Sequence, residues 1–373
     1  MMAKDVKSNQ DVAVTKKRKK KKMSTRDRVI MAISIVLICA SVLTIAGIGL
    51  WNWQVFGGDQ IDSENKTPVE LREKNVNFLI CGIDVEPGRN HKLTDVIMYV
   101  NFDIQSKKVN ILQIPRDTYI GEDYPTGKIN AVYNQTKNGG INGLISVIND
   151  RFKLTIDHYA TVTMDGFVRV VDGIGGVEMD VPRTITLEGV TIKKGYQTLN
   201  GKQAEKFVRK RKGDGYKEGD IERIKMQRLF LAAMMKKIKS TSITTLGSLI
   251  TKVSKDITSD MKVGEMIDFA GAVHDIDMTN MNVSMLPGQG TSYNGYSVYT
   301  LHKQETADLL NNNFRPYSEK VSAESLNIIE LKKTTSYYDD NTDSFDGLVN
   351  GVKPGSGSSG TSSSTSGGTS SKK

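Results

Sequence analysis

Apolar positions in this chain first come in short runs and then switch to helical spacing. Residues 75–84, 94–100 and 109–117 are short apolar stretches, the first ending in Gly82-Ile83-Asp84 and the second opening with an acid. Runs of that length predict buried strands. The third stops at Pro115, which cannot donate a ladder hydrogen bond and so predicts the strand's end. Lys107 and Lys108 supply the turn before it. From residue 139 the period lengthens: Ile141, Leu144, Ile145 and Ile148 recur at helical spacing up to Phe152. Residues 159–162 predict a strand and 165–171 a helix packed by Phe167, Val168, Val170 and Val171. The glycines at 173, 175 and 176 predict a helix stop and tight turn, with a phosphate loop as the other reading. Residues 181–195 predict a hairpin excursion. Asn200 is placed to cap a helix through Ala204 and Phe207. Asp220 is placed to cap a long one over 221–238, with Ile224, Leu231, Met235 and Ile238 as its core stripe. Helical patterns at 243–253 and 263–273, a strand at 283–288 and a helix over 300–314 complete the series. The predicted class is α/β, a mixed central sheet flanked by helices.

The ends of the chain lack these periods. Residues 1–28 carry eleven Lys/Arg and three Asp/Glu, which is +8 of the net charge of +9. The remainder is close to neutral, which argues against a broad basic face for nucleic acid. The basic run at 16–22 reads as a solvated cytoplasmic tail, the alternative being a nuclear-localisation or nucleic-acid arm. Residues 29–51 are uncharged over roughly the 20 positions a bilayer needs. Arg26 and Arg28 precede them; Trp51 closes the stretch and Trp53 follows. Since positive residues stay cytoplasmic and tryptophans favour the interface, the expectation is a single-pass transmembrane helix in the cell membrane, N terminus inside. A cleaved signal peptide would have a shorter apolar core, and no Ala-x-Ala site is present. A linker at 52–74, an extracellular domain at 75–330 and a Gly/Ser/Thr-rich disordered tail at 337–373 follow from composition. Two cysteines, Cys39 and Cys81, make no disulfide framework; the first is expected in the membrane and the second in a core strand.

The strand ends carry the chemistry. Arg116 and Asp117 fall at the carboxyl edge of the sheet, where open α/β sheets bind ligands. A guanidinium there offers paired donors in one plane to a phosphate or carboxylate. Asp84 and Asp95 end and begin neighbouring strands, and Arg209, Arg211 and Arg223 form a basic cluster. Arg209 and Arg211, two apart, cannot share a helical face, so the chain must be extended between them if both reach one ligand. Arg223 and Gln227, four apart, do share a face. Taken singly, such residues are ordinary turn acids and surface cations. Together they are the equipment of Mg²⁺-assisted phosphoryl transfer: hard oxygen ligands for the metal, arginines to neutralise charge, and an acid to take the nucleophile's proton.

In order along the chain, residues 77–84, Thr94-Asp95-Val96-Ile97-Met98, Ile114-Pro115-Arg116-Asp117-Thr118-Tyr119, Lys128-Ile129-Asn130-Ala131, Gly175-Gly176-Val177, Phe207-Val208-Arg209-Lys210-Arg211 and Gly219-Asp220-Ile221-Glu222-Arg223 resemble the motifs of the LytR-CpsA-Psr family. The resemblance covers about residues 72–330 and is densest over 75–235. It implies an envelope phosphotransferase that moves a glycan phosphate from undecaprenyl pyrophosphate onto peptidoglycan, building wall teichoic acid or capsule linkages. Its partners would be the membrane, the lipid-linked glycan and peptidoglycan, with no nucleic acid. By resemblance, Asp84 and Asp95 lie near Mg²⁺ and act with Arg116 in catalysis, while Arg116, Arg209, Arg211, Arg223 and Gln227 bind the pyrophosphate. The lipid tail would occupy an apolar groove between sheet and helices. Leu93 and Met226 stand where the family commonly has arginine, with Lys92 and Lys225 beside them as substitute charges. Each replacement is expected to remove a cation from the site. A hydrolase of the same pyrophosphate, and a non-enzymatic envelope regulator under the family's transcriptional-attenuator label, are the other readings.

Overall fold

A computed structural model describes residues 58–85, 92–135, 137, 139–216, 219–331 and 342–350. The basic tail at 1–28, the candidate span at 29–51 and Cys39 lie outside these residues. Among the described residues no helix is long and apolar enough to cross a membrane.

The three opening apolar runs are strands: β1 (Asn75–Val85), β2 (Lys92–Asp103) and β3 (Lys108–Gln113). Lys107, with φ of 52°, turns the chain into β3. Then come α1 (Gly140–Phe152), β4 (His158–Thr163) and α2 (Met164–Gly173), whose N-cap Thr163 accepts from the Gly166 N–H. Strands β5 (Val177–Val181) and β8 (Gly195–Leu199) pair, and between them β6 (Ile185–Leu187) and β7 (Val190–Ile192) make the expected hairpin. Its turn is Glu188-Gly189, both at positive φ, which matches the twist of a two-residue hairpin. Helix α3 (Gly201–Arg209) starts in a capping box between Asn200 and Gln203. Helix α4 (Asp220–Ser240), α5 (Ile243–Val253), β9 (Ile257–Ser259) and α6 (Val263–His274) follow. Strand β10 (Met281–Met285), the hairpin β11 (Gly288–Tyr293) and β12 (Tyr296–Leu301), and α7 (Lys303–Asn313) come next. Strand β13 (Asp343–Ser344) and α8 (Phe345–Asn350) come last.

Among the described residues, seven strands form one mixed sheet in the order β13-β10-β3-β2-β1-β4-β9. Strands β1, β3, β4 and β10 run one way and β2 the other, so their carboxyl ends share one edge with the start of β2. Alternation along β1 divides the core. Leu79, Cys81 and Ile83 pack with Ile141, Leu144, Ile148 and Leu310 on one face. Phe78 packs with Phe102, Ile111, Val283 and Phe345 on the other. Cys81 is fully buried, as expected, and burial pushes its thiol pKa far above the ordinary value.

Four expectations are corrected. Helix α4 has no single core stripe: Ile224 joins the first core, Leu231 and Met235 pack on the third, and Ile238 lies against a second core built around Phe207 and Phe230. The last long helix begins at Lys303, because Thr300 and Leu301 belong to β12. The stretch 58–74 is no free linker. Ile61 is buried in the first core, and Asp157 accepts from the N–H and hydroxyl of Thr67 at 3.0 and 2.7 Å and from the Asn77 N–H at 2.9 Å. Residues 342–350 are not tail either. Strand β13 pairs with β10, Phe345 is fully buried, and Arg228, 2% exposed on α4, donates to Asp343 at 2.5 Å. The first segment docks through Ile61 and non-local hydrogen bonds, and the second through Phe345, with Leu348 and Val349 packed beside it, and the Arg228–Asp343 pair.

Candidate active site

The strand ends that carry Asp84, Asp95 and Arg116 meet at one edge of the sheet. In the β1–β2 ladder Gly82 faces Val96 and Ile83 faces Thr94, which leaves Asp95 as the extra residue of a β-bulge. A bulge re-aims the side chain it inserts. The Asp95 carboxylate sits 2.7 Å from Arg116 Nη1, donated from just beyond Pro115. The Arg116 backbone is held by its carbonyl, which accepts from the Asn130 N–H, while Thr118 bonds back to the Pro115 carbonyl. Arg116 Nε lies 3.7 Å from Asp220 and 3.9 Å from Asp117, and Lys128 Nζ pairs with Asp117 at 2.9 Å.

Two helices complete the cluster. Lys210 is extended (φ −60°, ψ 129°), so α3 stops at Arg209 and the chain between Arg209 and Arg211 is non-helical. Arg211 Nε lies 3.5 Å from Asp220 and Arg223 Nη2 lies 2.9 Å from the same carboxylate. Gln227, one turn beyond Arg223, is buried and donates to the Val208 carbonyl at 3.1 Å, tying α4 to the end of α3. The sequence reading missed Asp220's part here. It is the first residue of α4, with Gly219 at the cap position, and its carboxylate turns to the arginines. The signal was present: Asp220 and Arg223 are three apart on one helix and share a face.

The arrangement has an excess of positive charge. Three guanidiniums, Arg116, Arg211 and Arg223, meet the carboxylates of Asp95 and Asp220, while Asp117 is shared with Lys128. Burial pulls the Arg116 pKa down, yet Asp95, Asp117 and Asp220 outweigh it and hold the group above its ordinary value. Burial lowers Arg223, Asp220 opposes, and the neighbouring Arg116 and Arg211 cations add to the fall. Among the described residues the Nε atoms of Arg116, Arg211 and Arg223, and both carboxylate oxygens of Asp220, are buried without hydrogen-bond partners. Unspent buried donors on three converging cations suit an anion rich in oxygen. A cavity of about 10 Å³, roughly one water in size, lies among Asp95, Gln113, Arg116, Arg223 and Gln227. On the same sheet face Ile80 is 39% exposed although β1 is flanked on both sides in the sheet. It sits opposite Met98, and Gly82 opposite Val96, so an apolar strip runs toward the cluster.

Two predicted residues stand apart. Arg209 is exposed and pairs with Glu205 at 2.6 Å and with Glu188 at 3.9 Å. Asp84 is exposed opposite Leu93, near enough that its charge raises the Arg209 pKa. They share the edge with the cluster but make no contact with it. Met226 does not face the site at all. It is 4% exposed in the second core, because one helical step of 100° turns it away from Gln227. The expected loss of a cation there is therefore not seen. Leu93, by contrast, is at the edge beside Asp84.

The description LytR_cpsA_psr family fits residues 57–315. The chain is 30% identical over 250 residues to the polyisoprenyl-teichoic acid–peptidoglycan teichoic acid transferase TagU of Oceanobacillus iheyensis, spanning 63% of this chain and 74% of that one. It is 25% identical over 303 residues to TagU of Bacillus licheniformis, spanning 79% and 95%. The crystal structure of B. subtilis TagV superposes with a TM-score of 0.56 at 25% identity, over 64% of this chain and 95% of that one. A motif series in order, a mixed sheet with arginines gathered at its edge, and this match over most of the length agree: the chain belongs to the LytR_cpsA_psr family.

Proposed function

We propose that this protein transfers a glycopolymer from a polyisoprenyl pyrophosphate carrier to peptidoglycan, making a phosphodiester and releasing polyisoprenyl phosphate. The observation that carries this reading is the cluster of Arg116, Arg211 and Arg223 with unspent buried donors at the end of an apolar strip. The names of the TagU relatives, teichoic acid transferases acting on peptidoglycan, support it. A diphosphate on a long hydrocarbon has the two chemistries the site presents.

In this reading Arg116, Arg211 and Arg223 donate to the diphosphate, and Gln227 fixes the end of α3 against α4. Arg209, on the exposed rim, meets the glycan-side phosphate. Asp95 is oriented by Arg116 and Asp84 stands exposed at the same edge. This pair would hold Mg²⁺. Among the described residues no three acidic, His or Cys groups gather for a metal, so diphosphate oxygens would complete the shell, as is usual for Mg²⁺. Bound there, the ion supplies charge neutralisation on the leaving phosphate. The acceptor hydroxyl's oxygen forms the new bond to phosphorus, the bond to the polyisoprenyl phosphate breaks, and the hydroxyl proton passes to a carboxylate of the pair, Asp84 being the more open. Residues 29–51 would anchor the protein in the membrane beside its lipid donor, an assignment supported by their uncharged length and flanking Arg28 and Trp53.

The test is full-length protein in detergent with lipid-linked glycopolymer, Mg²⁺ and teichoic-acid-free peptidoglycan. Polymer joined to wall, with polyisoprenyl phosphate released, is the expected result. Release of free glycan phosphate with none joined to the wall would make it a hydrolase. No turnover, with Asp95→Ala cells unchanged in phenotype, would leave the regulator.

A further inference from the structure

We infer that the β11–β12 hairpin and the loop after Arg116 form the subsite for the acceptor, a glycan strand of the wall. This rests on the transferase reading above.

The hairpin is fastened directly to the catalytic loop. The Tyr299 N–H donates to the Asp117 carbonyl at 2.8 Å, and the Tyr119 N–H to the Tyr299 carbonyl at 2.8 Å. Asp117 follows Arg116 in the chain, so β12 is held one residue from the guanidinium that meets Asp95. From Tyr299 the strand runs three residues to Tyr296, roughly 10 Å at 3.4 Å per residue, the length of about two sugar units.

At the tip, Tyr293 and Tyr296 face each other across an Asn294-Gly295 turn with both turn residues at positive φ. Directly opposed residues hold their Cβ atoms about 5 Å apart on one face of the hairpin. Tyr293 meets Tyr119 edge to face, with ring centroids 5.0 Å apart, and its hydroxyl donates to Glu122 Oε1 at 2.9 Å. Asn294 donates to the same oxygen at 3.1 Å. The Glu122 bond and its charge hold the Tyr293 hydroxyl protonated, its pKa pushed up to about 12. Tyr293 is thus locked in place, while Tyr296 is 47% exposed. Rigid tyrosines give broad contact at small entropy loss. The C–H face of a pyranose packs on such rings, and its hydroxyls and N-acetyl groups pair with a rim such as Glu122 and Asn294.

Chemistry favours a glycan over a lipid surface. Residues 288–301 contain no Lys or Arg, and Glu122 and Asp123 lie in the facing loop, so an anionic bilayer would be repelled. The placement also suits transfer. Tyr299 and Leu301 at the hairpin's root pack in the core opposite the face that carries Ile80. A donor lipid on the Ile80 face and an acceptor on the hairpin would therefore approach the Arg116 loop from different sides.

Full-length protein is sedimented with teichoic-acid-free sacculi, and undecaprenyl pyrophosphate binding is followed separately by thermal shift. Tyr296→Ala is expected to weaken sacculus binding about tenfold, a loss of about 1.4 kcal/mol, and to leave the thermal shift intact. Tyr296→Phe, which keeps the ring, is expected to bind as wild type. Arg116→Ala is expected to do the reverse of Tyr296→Ala. Wild-type sedimentation by Tyr296→Ala overturns the subsite, as does loss of binding to anionic vesicles instead of sacculi. A wild-type protein that binds sacculi through Tyr296 but joins no polymer would retire the transferase reading and keep the glycan site.

Discussion

Arg116, in the loop beyond β3, and Asp95, on β2, meet at 2.7 Å, and the contact exists because a bulge in β2 adds one residue at Asp95. Without that extra residue, period-two alternation would place position 95 on the opposite sheet face from Val96. The pair is partly buried, with side-chain exposures of 15% and 29%. It therefore acts as a fixed element of charge rather than a surface ion pair. Asp95→Asn keeps the shape and removes the charge. Transfer is expected to fall about a hundredfold, the scale for losing one preorganised electrostatic group. Single-turnover release of polyisoprenyl phosphate measures it, and a rate within threefold of wild type would remove Asp95 from the mechanism.

The two family departures are predicted to behave in opposite ways. Leu93→Arg adds a guanidinium opposite Asp84 at the open edge, where it can pair and reach a bound diphosphate. Affinity for undecaprenyl pyrophosphate is expected to rise about tenfold, as one charge-assisted hydrogen bond provides. Met226→Arg instead drives a charge into the core shared with Phe230 and Val208. An unpaired buried charge is among the costliest substitutions, so this variant is expected to melt at least about 10 °C lower. Equal melting temperatures for the two variants would contradict the placement of Met226.

Asp343 balances Arg228, whose Nε also donates to Gln113 at 3.1 Å, and Gln113 lines the cavity beside Arg223. Removing one partner strands a buried cation at a cost of about 3 kcal/mol. Asp343→Ala is expected to lower the melting temperature by roughly 6–12 °C. Truncation after residue 341 should lose at least as much, since Phe345 leaves the core with it. A truncated chain as stable as the whole would show that the C-terminal strap is not part of the folded body.

Asp157 is 3% exposed and holds Thr67 and Asn77 together through three hydrogen bonds. Asp157→Ala orphans the Thr67 and Asn77 N–H groups, at about 1–3 kcal/mol each where water cannot reach, while the Thr67 hydroxyl keeps Thr155. The stretch 58–74 is expected to become protease-sensitive while the sheet edge at Arg116 is unaffected. Limited proteolysis read by mass spectrometry decides it, and unchanged resistance at 58–74 would disprove the latch.

The local elements and their ends were legible in the sequence. Pro115 closing a strand and Asn200 capping a helix start both follow from backbone chemistry within a few residues. The sequence also predicted that Asp84, Asp95 and Arg116 sit at strand ends, and the antiparallel pairing of β2 with β1 and β3 brings those ends to one edge. The rest emerged only once distant segments packed together. Which way Asp95 points depends on a bulge visible only in the pairing of β1 with β2. Whether Asp220 caps its helix or joins the arginines depends on Arg116 and Arg211 arriving from elsewhere in the chain. Met226 and Gln227 differ by one step of a helix buried on several sides, so periodicity does not tell which of them faces the site. The packed segments at 58–74 and 342–350 are held by partners about 90 and 115 residues away. Such contacts leave no local pattern, since what selects them is the satisfaction of buried polar groups once the core has closed.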